Sequence, residues 1–278
     1  PLWFSIGDQL GVASYESALK SLKLLTPIKL DANTTRIYNL EKRELLKSYA
    51  TFEFDLNQHK TDFSDWIIAF QDSIRKRTGS LREKLFIGLS SGYDSGAISC
   101  ELNNQNVPYK AYSVVNSETE EIMGKRLTFF NSNVDIEFLQ GDKGNKKAYK
   151  KYINENVEEF MYRIYSSSSD YNEFNTRLQD DGGASGLSMV CDFATKDGRK
   201  VYLSGSGADE IFSDYGYNGE KKAFHSNFGG LFPEDLSVIF PWASFYGSSM
   251  VSYLAKEEYV AGSYGIETRY PYLDKYVV

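Results

Sequence analysis

Leu85-Phe86-Ile87-Gly88-Leu89-Ser90-Ser91-Gly92-Tyr93-Asp94-Ser95 runs from an apolar stretch into a turn of small residues and ends beside an acid. An amphipathic segment, 97–104, follows at helical spacing. The order is strand, phosphate-sized loop, helix. Backbone N–H groups of such a turn, with the positive end of the helix dipole, make a site for an anion. Small residues let that anion approach the backbone. No Lys stands where a Walker A loop carries one. The loop carries an acid instead, and an acid beside bound phosphate implies a bridging Mg²⁺.

Downstream, Val201-Tyr202-Leu203-Ser204-Gly205-Ser206-Gly207-Ala208-Asp209-Glu210-Ile211-Phe212 repeats this logic. An apolar strand again ends in a small-residue turn, and adjacent acids open a helix. Either acid by itself reads equally as a helix cap. Two strand-end acids from different βα units can instead hold one divalent ion from two sides, and Asp94 and Asp209 are the natural pair.

Strands alternate with helices between the two turns. Strands are expected at 85–89, 109–115, 134–139 and 200–204, and helices at 94–104, 119–130 and 178–194. The run 143–151 reads as a solvated charged face, followed by a helical stretch to Tyr165 and a Ser-rich loop at 166–169. This alternation predicts an α/β fold, a twisted parallel sheet with helices on both faces. Ligands then bind beyond the carboxyl ends of the strands, where both glycine-bearing turns sit.

The N-terminal part differs. Residues 2–6 and 10–13 read as a hairpin, 15–25 as a helix, and 30–38 and 45–54 as extended segments. In 62–77, Phe63, Trp66, Ile67, Phe70 and Ile74 fall on one helical face. The chain opens at Pro1 inside what reads as a strand, so it is expected to begin in the middle of a larger protein.

With 278 residues, 21 of them Tyr and 18 Phe, the composition predicts a packed globule. A net charge of −7 disfavours a non-specific nucleic-acid binder, which would be basic. Cys100 and Cys191 lack metal-type spacing and read as buried thiols of a reducing compartment. His59 and His225 are isolated and read as surface or packing residues. No apolar run reaches about 18 residues, so no membrane partner is expected and the location reads as cytoplasmic.

Ser90-Ser91-Gly92-Tyr93-Asp94-Ser95 resembles the SGGxDS signature of the PP-loop ATP pyrophosphatases. The segment 203–210 resembles the LSGxGxDE motif of asparagine synthetase-type enzymes, and 265–274 is similar to their GxExRxPFLD segment. The opening, 1–19, is similar to the last strands and helix of that family's glutaminase domain. The resemblance implies a C-terminal remnant of an α+β N-terminal-nucleophile glutaminase domain with its linker at 1–56. It implies an ATP-dependent synthetase domain of the adenine-nucleotide-hydrolase-like type, incomplete at its C-terminus, at 57–278.

By resemblance, a carboxylate, aspartate by default, attacks ATP to give an acyl-adenylate and Mg-bound pyrophosphate. Ammonia derived from glutamine by the absent glutaminase part then forms the amide. Ser90, Ser91, Gly92, Asp94 and Ser95 would hold pyrophosphate and Mg²⁺, with Asp209 the second metal ligand. Ser204 and Gly205 would lie near the nucleotide, and Leu89 and Val115 or its neighbours would flank adenine or ribose. Glu210 and Arg269 are candidates for the amino-acid substrate or the intermediate. Arg269 has a rival role as an ion-pair partner of Glu267 or Asp274. The resemblance leaves room for a homodimer.

Three departures stand out. Ser91 replaces a glycine, which costs roughly 1 kcal/mol if the backbone there needs a positive φ. Ser206 replaces a Glu that lies close to the chemistry in the family. No Lys of the chain matches the one that neutralises the phosphates. Ser206 favours an amide or lactam synthetase of specialised or surface-polymer metabolism as the alternative. The missing Lys motivates a third reading, a nucleotide-binding domain without turnover.

Overall fold

The computed structural model describes residues 2–7, 9–23, 26–115, 121, 122, 125, 134–164 and 174–278. The helix expected at 119–130 and the serine loop at 166–169 lie outside the described residues, apart from positions 121, 122 and 125 of the first. The chain divides into two compact units, Pro1–Asn57 and Gln58–Val278.

In the first unit, β1 (Trp3–Ile6) and β2 (Leu10–Ala13) pair antiparallel, with Trp3 opposite Ala13. Helix α1 (Glu16–Ser21) follows, and β3 (Ile28–Lys29) adds to the other edge of β1. The strands β4 (Thr34–Asn39) and β5 (Glu44–Ala50) form a separate hairpin.

The second unit opens with α2 (Ser64–Thr78), β6 (Lys84–Gly88), α3 (Tyr93–Asn104), β7 (Tyr109–Val114) and β8 (Asp135–Leu139). Next come α4 (Lys143–Asn156) and the antiparallel pair β9 (Met161–Ile164) and β10 (Phe174–Arg177). Then follow α5 (Gly182–Lys196), β11 (Arg199–Leu203) and the small hairpin β12 (Gly216–Tyr217) and β13 (Glu220–Lys221). Helix α6 (Ser248–Ser263) and β14 (Glu267–Arg269) complete it.

Strands β14-β11-β6-β7-β8 form one sheet in that order, parallel at every pairing. Side chains alternate across a strand, so successive residues feed opposite layers. Leu85 and Ile87 pack with Phe70 and Ile74 of α2 and Ile98 and Leu102 of α3. Phe86 and Tyr202 pack with Met189, Val190 and Ala194 of α5 and Ala261 of α6. Helices therefore cover both faces, and the strands read as unbroken apolar runs because both sides are buried. Each fully buried Phe, Ile or Leu contributes about 1.5–3 kcal/mol.

The charged run 143–151 belongs to α4, whose start is capped by Asp142 accepting from the Asn145 N–H at 2.8 Å. A run of Lys with Tyr149 and Ile153 on the inner side is an amphipathic helix whose polar face dominates its composition. The helical stretch expected up to Tyr165 ends at Asn156, and 161–164 is a strand. The three-residue strand β14 has too short a pattern to be legible in the sequence.

Strand order positions the site. Leu203 of β11 lies beside Ile87 of β6, so the turns that leave the two strands emerge next to each other at the carboxyl edge. Strand β7 lies on the other side of β6, and this branching of direction is where such sheets open a crevice.

Candidate active site

The first turn is held by its own serines. Ser90 N–H donates to Ser95 Oγ at 3.0 Å, and Gly92 N–H donates to Ser90 Oγ at 3.1 Å. Gly92 precedes α3 with extended backbone, and no side chain caps the helix. Ser91 is not among the residues with positive φ, so the strain that sequence alone allowed there does not arise.

In the second turn, Ser206 N–H donates to Ser204 Oγ at 3.0 Å, and Gly207 takes φ +104. A Cβ on Gly207 would sit 2.4 Å from Leu273 Cδ2, so both the dihedral and the packing require glycine. The turn leads into a five-residue π-helical stretch, Asp209–Ser213.

The two turns touch. A Cβ on Gly205 would lie 2.9 Å from Asp94 Cβ, so the missing side chain is what lets the acid-bearing turns close. Tyr272, from the segment after β14, donates its hydroxyl to the Asp94 carbonyl at 3.0 Å. A cavity of about 440 Å³ opens over this contact. Asp94, Asp209 and Glu210 line one part of it, with Ser90, Ser95 and Gly205. Leu89, Val114, Leu187 and Val190 give it an apolar wall. Ser206, Tyr215, Tyr253, Lys256 and Glu257 also line it.

Burial, then the charges of Asp209 and Glu210, push the Asp94 carboxyl up to about 7. Glu210 is also raised, mainly by burial. It accepts from Gly207 N–H at 2.8 Å and from the Tyr215 hydroxyl, so its carboxylate is committed to the turn. Three acids facing one cavity need a cation or a proton. Carboxylates and hydroxyls are hard oxygen donors, and Asp94 with Asp209 fit Mg²⁺, which takes one or two carboxylates and completes its shell with phosphate oxygens and water. Among the described residues, no group of three or more His, Cys, Asp or Glu could hold an ion without such help.

These charges set a pH dependence. The folded Asp94 keeps its proton to about 7, whereas a carboxyl in the unfolded chain loses it near 3.8. The folded state therefore binds the extra proton, and metal-free stability is lost as pH rises from about 4 to 7. In a chelator, the melting temperature is expected to fall across this window. In Asp209→Asn, the Asp94 carboxyl ¹³C resonance is expected to titrate at lower pH than in the parent.

Of the residues expected from sequence, Leu89, Ser90, Asp94, Ser95, Gly205, Asp209 and Glu210 line the cavity. Ser91 and Gly92 lie in the loop without lining it. Of Val115 and its neighbours, Val114 lines the wall, while Val115 N–H is tied to the Leu139 carbonyl. Ser204 is fully buried beneath the turn.

Arg269 is not brought to the cavity. Its Nε donates to Glu267 at 2.8 Å, and its guanidinium also binds the Arg77 carbonyl at the end of α2. It ties β14 to α2, so its assignment to substrate is replaced by the ion-pair role with Glu267. Asp274 pairs with Lys76 and Arg77 instead. Arg269→Ala is expected to lower thermal stability by about 1–2 kcal/mol while leaving nucleotide affinity unchanged, as melting curves and MgATP titration would show.

Tyr253, Lys256 and Glu257 went unread because no strand–turn signal precedes them. Their signal was the i, i+3, i+4 spacing that places all three on one face of α6. Lys256 brings an ammonium to the cavity, 3.4 Å from Asp181 Oδ2 and 4.4 Å from the Tyr253 ring centre.

Fold and cavity define an α/β protein with a two-acid site at the carboxyl ends of neighbouring parallel strands. No family model matches the chain. It is 25% identical over 255 residues, 90% of its length, to "Putative asparagine synthetase (glutamine-hydrolyzing) 1" of Methanocaldococcus jannaschii. That alignment spans 42% of the archaeal protein. Among solved structures, the chain is similar to an NH3-dependent NAD synthetase from Campylobacter jejuni, with 12% identity and a TM-score of 0.36 over 73% of this chain and 77% of that one. It is also similar to an NMN synthetase from Francisella tularensis, with 15% identity and a TM-score of 0.35 over 72% and 87%. Among the described residues, no helix is long and apolar enough to cross a membrane.

Proposed function

We propose that this chain is an ATP-dependent ligase that activates a carboxylate as its acyl-adenylate, releases pyrophosphate and closes an amide with ammonia. Aspartate is the default acid, and glutamine is the default source of ammonia, released by a separate glutaminase part. The observation that carries the reading is the contact of the two turns at Gly205, which sets Asp94 and Asp209 on one cavity.

The triphosphate is anionic, and the uncapped start of α3 offers it a positive dipole end. Asp94 and Asp209 would hold Mg²⁺, which when bound neutralises phosphate charge and steadies the leaving pyrophosphate. The apolar wall at Leu89, Val114 and Val190 suits a stacked purine. Lys256, paired with Asp181, adds an ammonium to the cavity lining, where it could meet the reacting carboxylate or a phosphate oxygen. The carboxylate oxygen forms a bond to the α-phosphorus, and the bond to pyrophosphate breaks. Ammonia then displaces AMP from the acyl carbon. Positioning and charge neutralisation supply most of the rate in such a transfer.

A second reading, an amide or lactam synthetase acting on another acid, is favoured by Ser206 at the cavity wall. ATP–pyrophosphate exchange across a panel of carboxylic acids tests both. Exchange dependent on aspartate supports the first reading, and exchange with a different acid moves the assignment to the second. A chain that binds no MgATP removes both.

A further inference from the structure

Helix α4 carries Lys143, Lys146, Lys147, Lys150 and Lys151, and all five are exposed. At about 100° per residue they share one arc of about 140°, along about 12 Å of the helix axis. No acid stands between Asp142 and Glu155. Lys151 reaches Glu155 at 3.8 Å, and among the described residues the other four form no ion pair. The far side of α4 is already occupied: Ile153 is buried, and the Tyr149 hydroxyl donates to Asp192 of α5 at 2.8 Å. This stripe opposes the helix that carries it. Lys143 and Lys147, Lys146 and Lys150, and Lys147 and Lys151 are like-charge pairs at i, i+4, which destabilise a helix. The first turn of α4 holds no acid and the last turn no base, so its charges run against the helix dipole. A face that served solubility alone would mix signs. The chain as a whole carries −7, so five uninterrupted positive charges also run against its composition. An arrangement that conflicts with its own helix marks a place where another molecule supplies the compensation.

The geometry points to α4 as a docking face for an anionic membrane surface, on which the chain rests through this lysine stripe. The partner follows from what the stripe contains and lacks. It is Lys alone, with Gly144 and Ala148 at its margin. It holds no Arg to grip a base edge and no exposed aromatic ring to stack a base, the groups with which nucleic acids are read. Protein interfaces are likewise enriched in Arg and aromatic residues and poor in Lys. Lysines are point charges on flexible stems, which suits mobile lipid headgroups without fixed spacing, and a cluster of four to eight of them on a helix face is the pattern that attracts anionic leaflets. The inner side of α4 packs on α5, so contact is made by charge without insertion of an apolar face. Contact of this kind needs no spanning helix, and it is reversible and sensitive to salt.

Co-sedimentation of the whole chain with vesicles tests this. Phosphatidylcholine vesicles with about 30% phosphatidylserine are compared with phosphatidylcholine alone, in about 0.1 M and about 0.5 M salt. The parent is expected to bind the anionic vesicles about ten-fold or more tightly, and to leave them at the higher salt. Lys146→Glu/Lys147→Glu turns all three like-charge pairs into opposite-charge pairs. Its melting temperature is therefore expected to equal or exceed the parent's, while its affinity for anionic vesicles falls about ten-fold or more. Should the reversal lower the melting temperature, Lys146→Gln/Lys147→Gln removes the two charges without adding any, and is expected to weaken vesicle binding about three-fold or more. Equal binding of the parent to both kinds of vesicle overturns the proposal, as does a preference for anionic vesicles that survives in the folded variant. So does tighter binding of the parent to single-stranded RNA or poly-L-glutamate than to vesicles of matched charge, which would give the stripe to a different anion. MgATP affinity is expected to be the same in parent and variants, so the outcome stands apart from the ligase reading.

Discussion

Asp94→Asn and Asp209→Asn are each expected to lower ATP–pyrophosphate exchange by about 10³-fold or more, while making the metal-free protein more stable. The two effects have one cause. In the folded chain, Asp94 is half-buried and faces Asp209 and Glu210, and this pushes its carboxyl up to about 7. Near pH 8, all three acids confront one another without a cation. Replacing one by its amide keeps shape and volume and removes the repulsion. In Asp209→Asn, the amide oxygen still accepts from the Ser213 hydroxyl, which now lies 3.0 Å from Asp209 Oδ1. Solvent screening limits the gain to about 1 kcal/mol, or roughly 2–4 °C in a domain of this size. The catalytic loss is far larger, because a missing charge at a metal–phosphate site removes stabilisation from the transition state. Calorimetry in a chelator at pH 8 and exchange assays with Mg²⁺ check the two halves. Stabilisation without loss of exchange would remove the metal assignment, and loss of exchange with a lowered melting temperature would mean that the acids serve the fold.

Asp214→Ala is expected to cost about 3–5 kcal/mol, the largest stability loss from any single truncation near the site. Asp214 is fully buried with φ +49, and its carboxylate organises the loop 226–229. It accepts from Ser226 Oγ at 3.0 Å and from the backbone N–H groups of Asn227, Phe228 and Gly229 at 2.8, 2.7 and 3.1 Å. Truncation takes the acceptor from the N–H groups of Asn227 and Phe228, while Gly229 N–H keeps Ser226 Oγ at 3.1 Å. The damage reaches the cavity, because Asn227 Oδ1 accepts from Ala243 N–H, and the neighbouring Trp242 donates Nε1–H to the Glu210 carbonyl at 2.7 Å. Urea unfolding should show a lower midpoint, and Asp214→Asn, which keeps one acceptor oxygen, should fall between the two. An Asp214→Ala midpoint within about 1 kcal/mol of the parent would contradict this account.

Most of the sheet was legible. The runs at 85–89, 109–115, 134–139 and 200–204 each became a strand within one residue of the expected bounds. Buried parallel strands announce themselves as short apolar runs between turns. The first part of α4, 143–151, was hidden because its exposed residues are mostly Lys, which composition reads as solvated chain. Arg269 misled because a motif places a residue on a strand without saying which face it leaves by. Here the face belongs to α2 and the Arg77 carbonyl. Glu257 and Lys256 were invisible for the opposite reason: they stand on an ordinary helix, and only its packing turns their shared face to the cavity.

The chain's own order of residues determined the local chemistry: two small-residue turns, each ending beside a carboxylate, each following a buried strand. Those features depend on periods of two and of 3.6 residues, which act over a few positions and can be read along a line. Tertiary structure alone decided that β6 and β11 are neighbours, that Gly205 meets Asp94, and that α6 adds Glu257 and Lys256 to the same cavity. Strand order is fixed by which apolar faces find cover when the whole sheet packs, and residues more than a hundred positions apart enter that choice together.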